Sequence, residues 1–399
     1  MSRWTLASVT ASALALTLSA CGGGTLGGPS ANDQTGGGDS GAAGPIKIGL
    51  LVPQSGVYKS LGDDMKAGFE TYLKEKGNKL GGRDVEVVLA DEGETADSGK
   101  AAADKLVKQD KVAVVTGVVS SAVMNGTVDL FETSGIPLVG SNASPTTLKG
   151  KKFIWRTSYV NDEPGKALGG YVAKLNKGPV YLLAADYQAG KDEVAGFKET
   201  FEPAGGKVAA EVYTPFPGTK NFQPFLANLQ KSDATQVFTF YAGGAAVDFV
   251  KQFDQFGLTG KVTHYSAGFL TEGGVLKAQG NAGKGTFTAM NYSADLDNAT
   301  NKKFVEAYTA ATSRPPTTYA MASYDAAQVI DKAIAAAGAN PTSTAINDAI
   351  KKVGPIDSPR GEWSFNDNGT PKQMWYLREV KDQGGTLSNV VVSELGILG

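Results

Sequence analysis

Short apolar runs alternate with amphipathic stretches along most of the chain. Residues 46–52 read as a buried parallel strand: brief, rich in Ile, Leu and Val, and closed by Pro53 and a polar turn that ends at Tyr58. Beyond the turn, Met65, Phe69, Tyr72 and Leu73 recur at i, i+4, i+7 and i+8, one face of a helix. Asp63 and Asp64 stand where a helix start favours an oxygen cap and negative charge. The first folded unit is therefore predicted as strand, polar loop, helix.

The pattern then repeats. Strands are expected at 85–89, 112–116 and 136–139, with helices between them that bury Ala101, Ala102, Leu106 and Val107 behind an Asp97 cap, then Met124, Val128 and Phe131. From Pro179 it begins again, with strands at 180–184, 207–213, 236–240, 262–265 and 285–290. Helices follow around Val194, Phe197 and Phe201, around Phe222 and Leu226, and around Phe249 and Phe253. Two further helices, near 304–308 and 319–337, and strands near 374–380 and 390–395 close the chain. Strands alternating with helices at this spacing predict βαβ units, hence an α/β fold with two doubly wound parallel sheets.

In such sheets, ligands bind outside the carboxyl ends of the strands. Three polar loops should share that edge of the first sheet: 54–58 with Tyr58, the pair Ser120 and Ser121, and 142–144 with Asn142 and Ala143. Each precedes a helix or tight turn, so backbone N–H groups could aim at an anion or a carbonyl. The matching loops of the second sheet carry Tyr187, Tyr241 and Phe269, expected as a ligand wall.

Composition changes this picture little. The chain has 399 residues, 41% hydrophobic and 20% charged, with a net charge of -2, which offers no footprint for nucleic acid. The N-terminus adds more. Arg3 precedes an apolar stretch at 7–18 that ends in the small residues Ser19 and Ala20, the form of a secretory signal over residues 1–20. Cys21, the single cysteine, follows at once, and 18–21 resembles the bacterial lipobox, in which the cysteine carries a lipid. Residues 21–44, rich in Gly, Ser and Ala, are expected to be a flexible tether. The folded part should then work outside the cytoplasmic membrane, anchored in the cell envelope through Cys21.

Taken in order, several short motifs resemble the branched-chain amino-acid (Leu/Ile/Val) binding family of ABC-transporter substrate-binding proteins. They are residues 48–56, Gly62 with 67–69, Gly81 to Arg83, 117–121, 136–145, Asp186 and Tyr187 with Gly190, and 324–326. The resemblance covers the chain from about residue 45 to its end. It implies the type I periplasmic-binding fold, two lobes joined by a three-segment hinge with the ligand cleft between them. Crossings would fall near 157–160, 290–293 and 355–360, giving lobes of 45–158 plus 291–356 and of 159–290 plus 357–399.

By the same resemblance, Ser120, Ser121, Asn142 and Ala143 would hold the ligand carboxylate and amine. Tyr187 and Tyr241 would face them from the second lobe, and Tyr58 and Leu61 would line the first. Glu272 would pair the ligand ammonium. The family's amino-acid binders carry threonine where Ala143 stands, so one hydroxyl contact is missing. The implied ligand is a small hydrophobic amino acid or a related carboxylate, with an aromatic or aliphatic acid lacking the amine as the alternative. The expected partner is an ABC permease in the inner membrane, and the protein is expected to be a monomer with no cofactor and no metal.

Two other functions compete. A ligand-sensing lipoprotein on the same fold would report to a signalling receptor. A secreted hydrolase would need a base, and the single histidine, His264, lies in an apolar strand-like stretch with no Gly-x-Ser-x-Gly elbow elsewhere. With no thiol pair and no histidine cluster, no metal site is expected. Residues 280–286 resemble a phosphate loop faintly, but Gly285 follows the lysine where Ser or Thr is required, so they are expected to form a turn.

Overall fold

The computed structural model describes residues 44–399, so the signal-like segment, Cys21 and the expected tether up to Ala43 lie outside the described residues. Two sheets organise the chain. The first contains β1 (Ile46–Val52), β2 (Lys79–Leu80), β3 (Arg83–Asp91), β4 (Val114–Gly117), β5 (Leu138–Gly140) and β6 (Ile154–Arg156), in the order β2-β3-β1-β4-β5-β6. Its pairs are parallel except β2 with β3. The second contains β7 (Val180–Asp186), β8 (Val208–Pro215), β9 (Gln236–Phe240), β10 (Thr263–Ala267), β11 (Phe287–Met290), β12 (Gln373–Gln383) and β13 (Thr386–Leu398). Its order is β13-β12-β11-β10-β9-β7-β8, and only the β11–β12 and β12–β13 pairs are antiparallel. This is the α/β class that the alternation of apolar runs predicts.

Helices α1 (Lys59–Glu75), α2 (Ala96–Lys105) and α3 (Ser121–Ser134) follow β1, β3 and β4. Helices α4 (Glu163–Leu175), α5 (Gln188–Phe201), α6 (Gln223–Lys231), α7 (Gly243–Gln255) and α8 (Gly274–Gln279) belong to the second sheet. The chain then returns: α9 (Ala299–Thr312), α10 (Thr318–Ala336) and α11 (Ser343–Ile350) complete the layer around α1. The packing of α10 on α1 requires glycine, because a Cβ on Gly68 would lie 2.0 Å from the Ala320 carbonyl oxygen.

The chain thus passes between the sheets after β6, after β11 and before β12. Buried side chains tie these passages together. Asn291 Nδ2 donates to the Ser158 carbonyl (2.9 Å) and to Gln373 Oε1 (2.8 Å). The Arg360 guanidinium donates to the carbonyls of Thr157 and Ser158 and pairs with Asp325 at 2.8 Å. A buried ion pair needs such additional hydrogen bonds to offset its desolvation.

Several local expectations differ. Helix α1 starts at Lys59, a turn earlier than Asp63 and Asp64 suggest, and Asp64 is buried within it. Asp64 pairs with Arg314 and accepts from the hydroxyls of Tyr308 (3.2 Å) and Thr317 (3.0 Å). At α2 the cap is Thr95, whose hydroxyl accepts from Ser98 N at 3.1 Å, while Asp97 sits in the first turn. Residues 357–371, expected with the second lobe, pack instead on the edge of the first sheet. There Arg156 N donates to the Gly369 carbonyl (2.9 Å), and the ring of Phe365 lies 5.1 Å from that of Trp155. The strand they cover, β6, is three residues long, too short to leave a periodic trace in the sequence.

Candidate functional site

The strand-end loops of the two sheets meet around a narrow cavity of about 20 Å³, within some 330 Å³ of non-atom space that is partly open to solvent. That cavity is far below the roughly 300–1,000 Å³ of a small-molecule pocket, so the two walls must move apart to admit a ligand. From the first sheet come Tyr58, at the end of the turn after β1, and Leu61, in the first turn of α1. Ser121, which opens α3, and Asn142 and Ala143, which follow β5, complete that side. From the second sheet come Tyr187, the residue before α5, and Phe269, in the turn after β10. These seven of the ten expected binding residues share the cavity.

Ser120, Tyr241 and Glu272 do not line it. Ser120 caps α3, its hydroxyl accepting from Ala122 N at 3.3 Å. Tyr241 turns into the core beneath, where its ring stacks on Phe249 (centroids 4.8 Å) and its hydroxyl meets Thr214 Oγ1 at 3.3 Å. Its neighbours Phe240 and Ala242 face the cavity instead, as the two-residue alternation of an extended segment requires. Glu272 is paired with Arg378 at 2.8 Å and accepts from Thr318 N at 2.9 Å, which fixes the start of α10.

The loop donors also differ from expectation. The N–H groups of Val119 and Ser120 point at the buried carboxyl of Glu92, at 2.8 and 2.9 Å, and not at the cavity. Burial outweighs those two bonds and pushes the Glu92 carboxyl up to about 8. The Asn142 side chain is likewise committed, donating to the Val119 carbonyl (3.0 Å) and accepting from Tyr159 Oη (3.2 Å). Ser121 Oγ accepts from Asn161 Nδ2 at 2.9 Å, which leaves its own proton to donate elsewhere.

Sequence reasoning missed Val119, Tyr159, Asn161, Ala189, Glu193, Phe240, Ala242 and Tyr319, all of which line the cavity. Glu193 did leave a signal. It shares the buried stripe of α5 with Ala189 and Phe197, at i, i-4 and i+4, where an acid is out of place unless it has a task. Two buried polar atoms of the wall have no partner among the described residues: Tyr319 Oη and Glu193 Oε1.

The remaining wall is aromatic. Tyr187 stacks on Phe216 (centroids 4.1 Å), and Phe269 contacts Tyr159, Phe240 and Tyr319 at 5.2, 5.9 and 6.0 Å. Among the described residues no Lys, Arg or His lines the cavity. Its two sides are in contact: Tyr58 Oη lies 3.2 Å from Tyr187 Oη. Gly243, with φ +57°, brings the start of α7 so near Val57 that a Cβ there would lie 2.3 Å from its carbonyl oxygen. His264 lies elsewhere, buried against Phe253 and hydrogen-bonded to Thr239 Oγ1 at 2.8 Å, and burial lowers its imidazole to about 3.

Residues 45–386 match the profile of a family described as periplasmic binding protein. The chain belongs to that family. Its members bind substrates for transport, and the chain is an extracytoplasmic solute-binding protein of an ABC transporter. A Leu/Ile/Val-binding protein homolog 6 from Brucella melitensis is 30% identical over 353 residues, covering 86% of this chain and 90% of the relative. Among solved structures, an R. palustris ABC-transporter solute-binding protein in complex with benzoate superposes with a TM-score of 0.82. It is 32% identical, over 89% of this chain and 97% of that one. A second from R. palustris, in complex with 4-hydroxybenzoate, gives 0.83 at 30% identity, over 88% and 97%.

Proposed function

We propose that this periplasmic binding protein captures a small aromatic carboxylate without an amine, of the benzoate kind, and presents it to an ABC permease. The observation that carries the reading is the cavity wall, which Tyr58, Tyr159, Tyr187, Phe240, Phe269 and Tyr319 make predominantly aromatic. A ring fits such a wall through apolar burial and offset stacking. The carboxylate would be held by neutral donors, the Ser121 hydroxyl at the start of α3 and the Tyr319 hydroxyl on α10. The benzoate-bound and 4-hydroxybenzoate-bound relatives support this class of ligand.

The competing ligand is a branched-chain amino acid, which the similarity to the Leu/Ile/Val-binding protein homolog of Brucella favours. Its ammonium needs an acid in the cavity, because an unpaired buried charge is costly. Glu272 is committed to Arg378. Glu193 lines the wall, but burial and the neighbouring Asp162, Asp192 and Glu163 hold its carboxyl well above the usual range, towards the neutral form. Calorimetric titration of the ligand-stripped protein with benzoate and with leucine separates the two readings.

Closure follows from the same geometry. The lobes, 45–158 with 291–371 and 159–290 with 372–399, would rotate about the three passages. A ligand touching both walls stabilises the closed form by its differential affinity for it. Cys21 would carry the lipid that keeps this cycle beside the membrane; Cys21→Ser should move the protein from the membrane to the soluble fraction.

A further inference from the structure

We infer that Glu193 is a specificity-determining residue: its unpartnered oxygen hydrogen-bonds a hydroxyl on the ligand ring, so the preferred ligand is a hydroxy-substituted aromatic acid. The inference rests on the aromatic-acid reading above and narrows it.

The two carboxyl oxygens of Glu193 are in different situations. Oε2 accepts from Gly165 N at 3.0 Å, a bond that ties α5 to the start of α4. Oε1 is buried without a partner, although the residue is only 1% exposed and lines the cavity. A buried polar atom left unpaired is costly, so a cavity built around one is built for something that pairs it. Water is one candidate, but a ligand that fills the space displaces it and must replace its hydrogen bond.

The chemistry of the partner follows from the state of the carboxyl. Asp162 and Glu163 at the start of α4 and Asp192 on α5 surround it with negative charge, and no cation lines the cavity among the described residues. With Oε2 accepting from a backbone N–H, a proton on the carboxyl belongs on Oε1, which then both donates and accepts. A hydroxyl does the same, and is the ligand group that satisfies it. Glu193 lies on α5, on the second-sheet side of the cavity, and Ser121 opens α3 on the first-sheet side.

A site that hydrogen-bonds a substrate hydroxyl discriminates against the analogue lacking it, because its own polar group is then left unpaired. The test is calorimetric titration of the purified protein with benzoate, 3-hydroxybenzoate, 4-hydroxybenzoate and leucine, for wild type, Glu193→Gln and Glu193→Met. In wild type at least one hydroxybenzoate should bind about tenfold or more tightly than benzoate. Glu193→Gln keeps an acceptor for Gly165 N and a donor towards the cavity, and should hold most of that preference. Glu193→Met, of similar volume, should reduce it to near one.

If Glu193→Met does not fold, the wild-type ratio and Glu193→Gln still decide. Equal wild-type affinity for benzoate and both hydroxybenzoates overturns the inference and leaves the aromatic-acid reading standing. An undiminished preference in a folded Glu193→Met does the same. Binding of leucine but of no aromatic acid, lost about a hundredfold in Glu193→Gln, would overturn both and make Glu193 an ammonium partner.

Discussion

The hydroxyls of Tyr58 and Tyr187 lie 3.2 Å apart, one at the start of α1 and the other at the start of α5, and close the cavity between the two sheets. The Tyr187 ring also stacks on Phe216, so it serves both as a bridge and as a wall. Removing the hydroxyl alone, in Tyr187→Phe, should weaken ligand binding about two- to tenfold, the range of one modest hydrogen bond. Tyr187→Ala removes the wall as well and should cost more, with a small change in unfolding midpoint because the residue is at the cavity and not in the sheet core. Titration calorimetry and urea unfolding on the same samples check both. Unchanged affinity in Tyr187→Ala would place the ligand elsewhere.

Glu272 gives the opposite expectation. Its pairing with Arg378 is buried and also holds Thr318 N, so Glu272→Gln leaves a buried arginine with its charge unmatched. Breaking one partner of such a pair costs about 3–5 kcal/mol. Unfolding in urea should show that loss, while the folded variant keeps its ligand affinity. Full stability with weakened binding would make Glu272 a ligand contact after all.

His264 predicts a pH dependence. Its imidazole is held near 3 by burial against an ordinary value of 6.5, so the unfolded chain takes up the proton first. The contribution is complete above about 6.5 and declines as pH falls from there towards 3, by about 1.4 kcal/mol per pH unit. Carboxyl groups titrate in the same range, so the measurement is the difference in unfolding free energy between wild type and His264→Gln. That difference should shrink with acid below 6.5. A difference independent of pH would mean that His264 takes up its proton as readily in the fold as in the unfolded chain.

The sheets were legible in the sequence because buried parallel strands are short apolar runs and their helices carry a 3.6-residue stripe. The cavity was legible to the extent that polar loops at strand ends mark it, which placed Tyr58, Ser121, Asn142 and Tyr187 in its wall. What failed turned on single steps of register. At the end of β9 the consecutive residues Phe240, on the wall, and Tyr241, in the core, are both aromatic. Glu272 and Asp64 read as a ligand acid and a cap, because nothing local announces that Arg378 and Arg314, far along the chain, will claim them. Glu193 was the reverse case, hidden as an ordinary helix acid although its position on the apolar stripe of α5 marked it.

The central claim is that the cavity binds an aromatic acid and not an aliphatic amino acid. The direct measurement is titration calorimetry of the protein after denaturation, removal of any carried ligand and refolding, with benzoate and 4-hydroxybenzoate on one side and leucine and valine on the other. At least one aromatic acid should bind saturably, and leucine and valine should not bind at the same concentrations. Saturable binding of leucine or valine, with no heat from either aromatic acid, would contradict that claim.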